Sequence, residues 1–197
     1  MLVLVFEGTG DAPSREMEAS RAILSRARGK PEGEGPARHW FEKRYAVSYR
    51  QSPVFVAGAF VDTMEVATTW SNLSRLYDAV RRALGAHVFV MAHLSHAYPD
   101  GCCIYFSFAG SSVANRGAPK EWNAACEATY DRAWRDALGA AIEAGGTLAH
   151  HHGVGRSKAP RLGDELGAGI EVVRALKEAF DPSGILNPGN LIPMRAS

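Results

Sequence analysis

The chain has 197 residues, 46% of them hydrophobic and 22% charged, with a formal net charge of +1. That is enough apolar material for a buried core without disulfide staples, and the near-neutral balance carries no electrostatic footprint for nucleic acid or an anionic membrane. Cys102, Cys103 and Cys126 are odd in number and lack zinc-type spacing, so they read as small buried or half-buried apolar residues in a reducing, cytoplasmic setting.

In chain order, residues 2–6 (LVLVF) form an apolar run closed by Gly8 and Gly10, the pattern of a buried strand. The run is far shorter than the ~18 residues of a membrane span. A chain that opens on a core strand also suggests that another segment precedes it. Ser14 is a candidate helix cap, with Met17, Ala22, Ile23 and Leu24 on an apolar face that ends at Gly29. Residues 29–40 crowd glycine and proline among mixed charges and predict a solvated loop.

Residues 53–63 are β-branched and aromatic and predict a strand. Residues 68–85 repeat Trp70, Leu73, Leu76, Tyr77, Val80 and Leu84 at helical spacing. Residues 87–98 and 102–110 predict two strands joined by Pro99-Asp100-Gly101, hence an antiparallel hairpin. A long helix is predicted over 119–145, stopped by Gly145-Gly146, and a last amphipathic helix over 164–180, stopped by Asp181-Pro182. The order predicts an α+β fold: an antiparallel sheet with helices on one face, ferredoxin-like, plus a C-terminal helical segment.

Residues 149–156 read AHHHGVGR, concentrating three of the seven histidines. On an extended segment His150 and His152 would face one way and His151 the other, so one wall of a cavity receives two imidazoles. Imidazole moves protons near neutral pH and hydrogen-bonds anionic oxygens or cofactor rings, and Gly153 and Gly155 let the backbone approach a ligand closely. The plainer alternative is a polar strand end whose histidines are satisfied by backbone carbonyls. His93 and His96 add imidazoles, but no metal-ligating motif accompanies them and contiguous histidines diverge on a strand, so no metal site is expected.

In CCIYFSF, Tyr105 alternates with Cys103 and Ser107 on the more polar face, where its hydroxyl either serves a site or satisfies a core edge. Arg50, just before a predicted strand, is either a surface residue or a forked donor for a phosphate or carboxylate.

Taken together, RYAVSYRQ, ATTWSNLSRLYDAV, HAYPDGCCIYFSFAG, GGTLAHHHGVGR and ALKEAFDPSGILNPGNL occur in an order that resembles the C-terminal part of the flavin-dependent oxidase/transferase family that includes the alkyldihydroxyacetonephosphate synthases. The resemblance implies a cap or substrate domain closing over FAD. It implies that Tyr105 acts as an acid/base, that His150, His151 and His152 line the flavin and substrate site, and that Arg50 meets the phosphate end of a lipid-phosphate substrate. The implied reaction exchanges an acyl chain for an alkyl chain on dihydroxyacetone phosphate, in ether-lipid formation. The ending DPSGILNPGNL also resembles flavin-linked 2-hydroxy-acid dehydrogenases.

On this reading residues 1–145 are the cap domain, and residues 146–197 carry the histidine site and a helix that packs on an FAD-binding domain or subunit. That FAD-binding domain, the expected partner, is missing from these residues, and the chain alone is expected to be inactive. A homodimer through the surface so exposed is the non-catalytic alternative.

Overall fold

A computed structural model describes residues 2–46, 51–111 and 119–192, which fall into two compact units, Met1–Ser52 and Pro53–Ser197. The boundary expected after residue 145 lies inside the second unit.

The first unit carries α1 (Ala12–Arg26) and α2 (Gly35–Lys43). Pro13 sits in the first turn of α1, where a missing N–H removes no helical bond, so the helix starts ahead of the expected cap at Ser14. The loop expected over 29–40 is cut short by α2, with Pro36 likewise in its first turn. Residues 2–6 form neither strand nor helix, and Leu2 is 65% exposed. A strand needs a hydrogen-bonded neighbour, and the described part of this unit holds only helices. The apolar run instead lines a shallow cleft with Pro13, Met17, Ala37 and Phe41.

The second unit runs α3 (Ser52–Val56), β1 (Ala59–Thr69), α4 (Leu73–Gly85), β2 (Phe89–Ser95), β3 (Gly101–Ser111), α5 (Pro119–Glu143), α6 (Gly155–Leu166) and α7 (Gly169–Phe180). The strand expected over 53–63 is displaced: its first residues turn as α3, Gly58 (φ 77) breaks the chain, and β1 extends on to Thr69. The predicted hairpin is present, β2 pairing antiparallel with β3 from Phe89 opposite Ala109 to Ser95 opposite Cys103. Gly101, at the start of β3, lies so close against β1 that a Cβ there would be 2.2 Å from the Thr68 carbonyl oxygen.

The sheet order is β1-β3-β2, all antiparallel, with Met64 opposite Phe106 and Phe106 opposite Ala92. Side chains alternate between faces, so Met64, Val66, Ile104, Phe106 and Phe108 share one face. They are fully buried against Leu76, Val80 and Leu84 of α4 and Ala137, Leu138 and Ala141 of α5. Each large side chain so buried contributes about 1.5–3 kcal/mol relative to exposure. The architecture is the expected α+β fold with helices on one face.

Its connectivity is βαββα. The fourth strand of a ferredoxin-like βαββαβ unit shrinks to one antiparallel bridge, Thr147 to Ala67, with Thr147 N–H donating to the Ala67 carbonyl at 2.9 Å. Just beyond it, the Leu148 N–H turns to the Glu165 carboxylate of α6 (2.9 Å) and the Thr147 hydroxyl donates to the same carboxylate (2.5 Å). The chain therefore leaves the sheet edge before the histidines. The single helix expected over 164–180 is two, broken where Gly167 takes φ 54 and ends α6.

On the helical face, Asp62 accepts hydrogen bonds from the Tyr130 hydroxyl (2.6 Å) and the Trp134 indole N–H (3.1 Å). Burial and the Asp62 carboxylate push the Tyr130 phenol from 10.0 up to about 12. A raised folded-state pKa gives stability that is whole below the unfolded value and lost as pH rises through the folded one. Denaturant titrations should therefore show stability falling between pH 10 and 12, and less steeply in Tyr130→Phe.

Candidate functional site

The sheet face turned away from α4 and α5 carries one row across all three strands: Glu65 on β1, Tyr105 on β3 and His93 on β2. Cys103 and Ser107 flank Tyr105 on that face, as the alternation predicts. Residues 149–152 lie over it, brought there by the bridge at Thr147.

The histidines do not alternate as an extended segment would, because residues 150–152 form bends and all three rings gather on the strand. The Tyr105 hydroxyl lies 2.5 Å from His151 Nε2 and 3.4 Å from His152 Nε2, although 46 positions separate Tyr105 from His151. Cys103 Sγ lies 3.1 Å from His150 Nδ1, and the Nδ1 atoms of His150 and His151 are 3.0 Å apart. His96 sits edge-on to His151 at 4.5 Å between ring centroids, and Tyr98 is 5.2 Å from His150. Tyr105, His150, His151 and His152 thus converge on one wall. Arg50 lies outside the described residues.

Two residues absent from the sequence-based set hold the wall together. Glu65 is fully buried, and both its carboxylate oxygens accept the His150 N–H, at 3.2 and 3.1 Å. Lys158 of α6, 4% exposed, donates from Nζ to the Glu65 carbonyl (2.8 Å) and lies 3.8 Å from its carboxylate. A charged residue inside a predicted strand reads as solvent-facing, and the only signal for Glu65 was its place in the β1 pattern, a strand expected to end at residue 63.

Burial pushes the Tyr105 phenol up, with the Glu65 carboxylate adding to the effect. His151 is held below its ordinary value, first by desolvation and then by His96, His152 and His150, against a raising pull from Glu65. The Cys103 thiol rises to about 11, chiefly through burial and then through Glu65, so it is a protonated thiol at neutral pH. Lys158 is lowered by burial. The arrangement keeps a proton on the phenol and a neutral imidazole beside it, the resting pair for general acid/base chemistry.

The wall also suits a flat heteroaromatic ligand. Its exposed imidazoles and half-buried phenol present both donors and acceptors, and Phe89 and Met91, 65% and 57% exposed on the same face, supply apolar area. Donor atoms of Glu65, Cys103, His150 and His151 lie within 4.8 Å of one another, a mix of carboxylate, thiol and imidazole that zinc accepts. Among the described residues no helix is long and apolar enough to cross a membrane.

Fold and wall together define an α+β domain with one sheet face on which a phenol and three imidazoles are in contact. Residues 1–191 match the family described as FAD linked oxidases, C-terminal domain, and the chain belongs to that family. It is 31% identical to the alkyldihydroxyacetonephosphate synthase of Dictyostelium discoideum over 97% of this chain, and 24% identical to that of Trypanosoma brucei brucei over 98%. In each case it spans 31% of the relative's length. A solved alkyldihydroxyacetonephosphate synthase superposes with a TM-score of 0.55 at 25% identity, covering 93% of this chain and 29% of that one. A 62-residue stretch is 48% identical to the glycolate oxidase subunit GlcD of Bacillus subtilis, 31% of this chain and 13% of that subunit.

Removing one partner of a buried ion pair leaves an uncompensated charge, at a cost of about 3–5 kcal/mol. Lys158→Met should destabilise the domain by about that amount in chemical denaturation, and Glu65→Gln in the same chain should restore most of it.

Proposed function

We propose that the chain is the substrate-side cap of a flavoenzyme resembling the alkyldihydroxyacetonephosphate synthases, in which Tyr105 and His151 move a substrate proton opposite FAD held by a separate FAD-binding domain or subunit. The observation that carries this reading is the 2.5 Å contact between the Tyr105 hydroxyl and His151 Nε2. Phenol and imidazole at that distance exchange a proton without large motion.

When bound, FAD would supply the electrophile, and His150, His151 and His152 are the residues that would face it. His152, 3.4 Å from the same hydroxyl, offers a second imidazole to an oxygen of the substrate. The reaction favoured is exchange of acyl for alkyl on a dihydroxyacetone phosphate ester. Arg50 is assigned to the phosphate end on the chemistry of its guanidinium and on the resemblance alone.

The remaining contacts to FAD belong to the rest of such an enzyme, since this chain spans under a third of the synthases it resembles. Val172, Leu176 and Phe180 form an exposed apolar stripe on α7 that suits packing against the FAD-binding domain. The three free cysteines fit a reducing compartment such as the cytoplasm. Oxidation of a 2-hydroxy acid is the second reading, favoured by the local identity to the glycolate oxidase subunit.

Co-expression with an FAD-binding partner domain tests both. Flavin should copurify with the pair, and turnover of an acyl-dihydroxyacetone phosphate with a long-chain alcohol should fall about 10²–10⁴-fold in Tyr105→Phe and in His151→Ala. Flavin that is not retained, or turnover indifferent to both substitutions, would overturn the proposal. Anaerobic bleaching of the flavin by glycolate would favour the second reading. A homodimer in sedimentation that persists with the partner present and excludes it would favour a purely structural role.

A further inference from the structure

The wall contains a fully buried carboxylate that lies beneath the histidine segment, its oxygens taking the His150 N–H. We propose that Glu65 is the positioning residue of this site: its carboxylate sets the tautomer of His151 so that Nε2 is the base facing Tyr105, and Lys158 anchors that carboxylate. The inference deepens the proton-handling reading above and rests on it for its catalytic meaning, but the tautomer itself is a property of this chain alone.

The geometry leaves His151 little choice. Its Nε2 faces the Tyr105 hydroxyl at 2.5 Å, so its Nδ1 turns inward, 3.8 Å from Glu65 Oε1 and 3.0 Å from His150 Nδ1. A neutral imidazole carries one N–H, and its position follows whichever ring nitrogen faces the stronger acceptor. On the inner side stand an accept-only carboxylate and the lone pair of His150. On the outer side stands a phenol, which is itself a donor. At 3.8 Å the carboxylate acts through its charge rather than a hydrogen bond, and because Glu65 is fully buried that charge is poorly screened. Both pulls place the proton on Nδ1 and leave the Nε2 lone pair toward the phenol.

The neighbours agree. With His151 Nδ1–H donating into the single lone pair of His150 Nδ1, the His150 proton lies on Nε2, and the Tyr105 hydroxyl donates to His151 Nε2. In the transfer step the Tyr105 O–H bond breaks and an N–H bond forms at His151 Nε2, giving a phenolate and an imidazolium with no change in oxidation state. The nearest negative charge to that imidazolium is Glu65, while His96, His150 and His152 oppose it. Lys158 fixes the strand segment twice, through the Glu65 carbonyl and through its carboxylate.

The test is ring ¹⁵N NMR of the histidine-labelled chain, which needs no flavin. His151 is expected to be protonated on Nδ1 in the native chain and in Tyr105→Phe. In Glu65→Gln the proton should shift from Nδ1 toward Nε2, read as an exchange of the two ring ¹⁵N shifts. Glu65→Asp should restore the Nδ1 proton in part, and it serves in place of Glu65→Gln if the latter does not fold. An unchanged tautomer in folded Glu65→Gln would overturn the proposal. So would a Glu65→Asp chain in which Nε2–H is the main tautomer of His151, or a tautomer in Tyr105→Phe that differs from the native one. A native signal that changes on chelation and returns with zinc would make Glu65 a metal ligand and equally overturn it. If the tautomer behaves as stated while the reconstituted enzyme ignores Tyr105, the functional reading fails and the positioning role stands.

Discussion

A carboxylate with no solvent contact must be satisfied locally, and Glu65 meets that requirement with groups from two distant parts of the chain. Its oxygens take the His150 N–H, its side chain sits opposite Lys158, and its backbone carbonyl takes the Lys158 ammonium. The contacts span 85 and 93 positions of sequence. Strand β1, the histidine segment and helix α6 are thereby fixed to one another by a single residue. Unmade hydrogen bonds to a buried charge are so costly that this arrangement tolerates little displacement.

What the carboxylate fixes depends on a sheet that is finished on one face only. The helical face is closed by α4 and α5 over a continuous apolar layer. At the β1 edge the fourth strand is reduced to the bridge at Thr147, and the Glu65 carbonyl that a longer strand would have paired is taken by the Lys158 ammonium instead. Had that strand continued, His150 and His152 would have projected to one side and His151 to the other. Ending it at one residue lets the chain bend, and three consecutive rings then reach Cys103 and Tyr105 together.

These features differ in how far the sequence discloses them. Tyr105 was placed on the polar face by alternation within β3, because a strand with one buried face has period two and Ile104, Phe106 and Phe108 mark the other side. The hairpin followed from Pro99-Asp100-Gly101, whose turn chemistry is local, and α5 from apolar spacing sustained over many turns. The failures are non-local. Residues 2–6 have strand composition but no partner strand in the described part of their unit, and pairing is a property of the neighbour. The break at Gly167 was overridden by an amphipathic pattern that continues through it. Glu65 was invisible because a lone acid in a strand is ordinarily solvated, and nothing within ten residues announces that its partners are Lys158 and the backbone of His150.

The electrostatics then divide labour between two groups in contact. Burial raises the Tyr105 phenol and lowers the His151 imidazole, so at neutral pH the proton rests on oxygen and the base is free. Both shifts penalise the charged pair that transfer creates, which means the face is poor at separating charge while nothing else is bound. Glu65 works against half of that penalty, since it favours the imidazolium, and against Tyr105 it does the reverse. A carboxylate on this side of the histidine therefore drives the proton from phenol to imidazole only once the phenolate is stabilised from the opposite side. In the proposed flavoenzyme that second contribution would come from the ligand and the domain covering the open face, so the proposal makes this wall one half of a closed site.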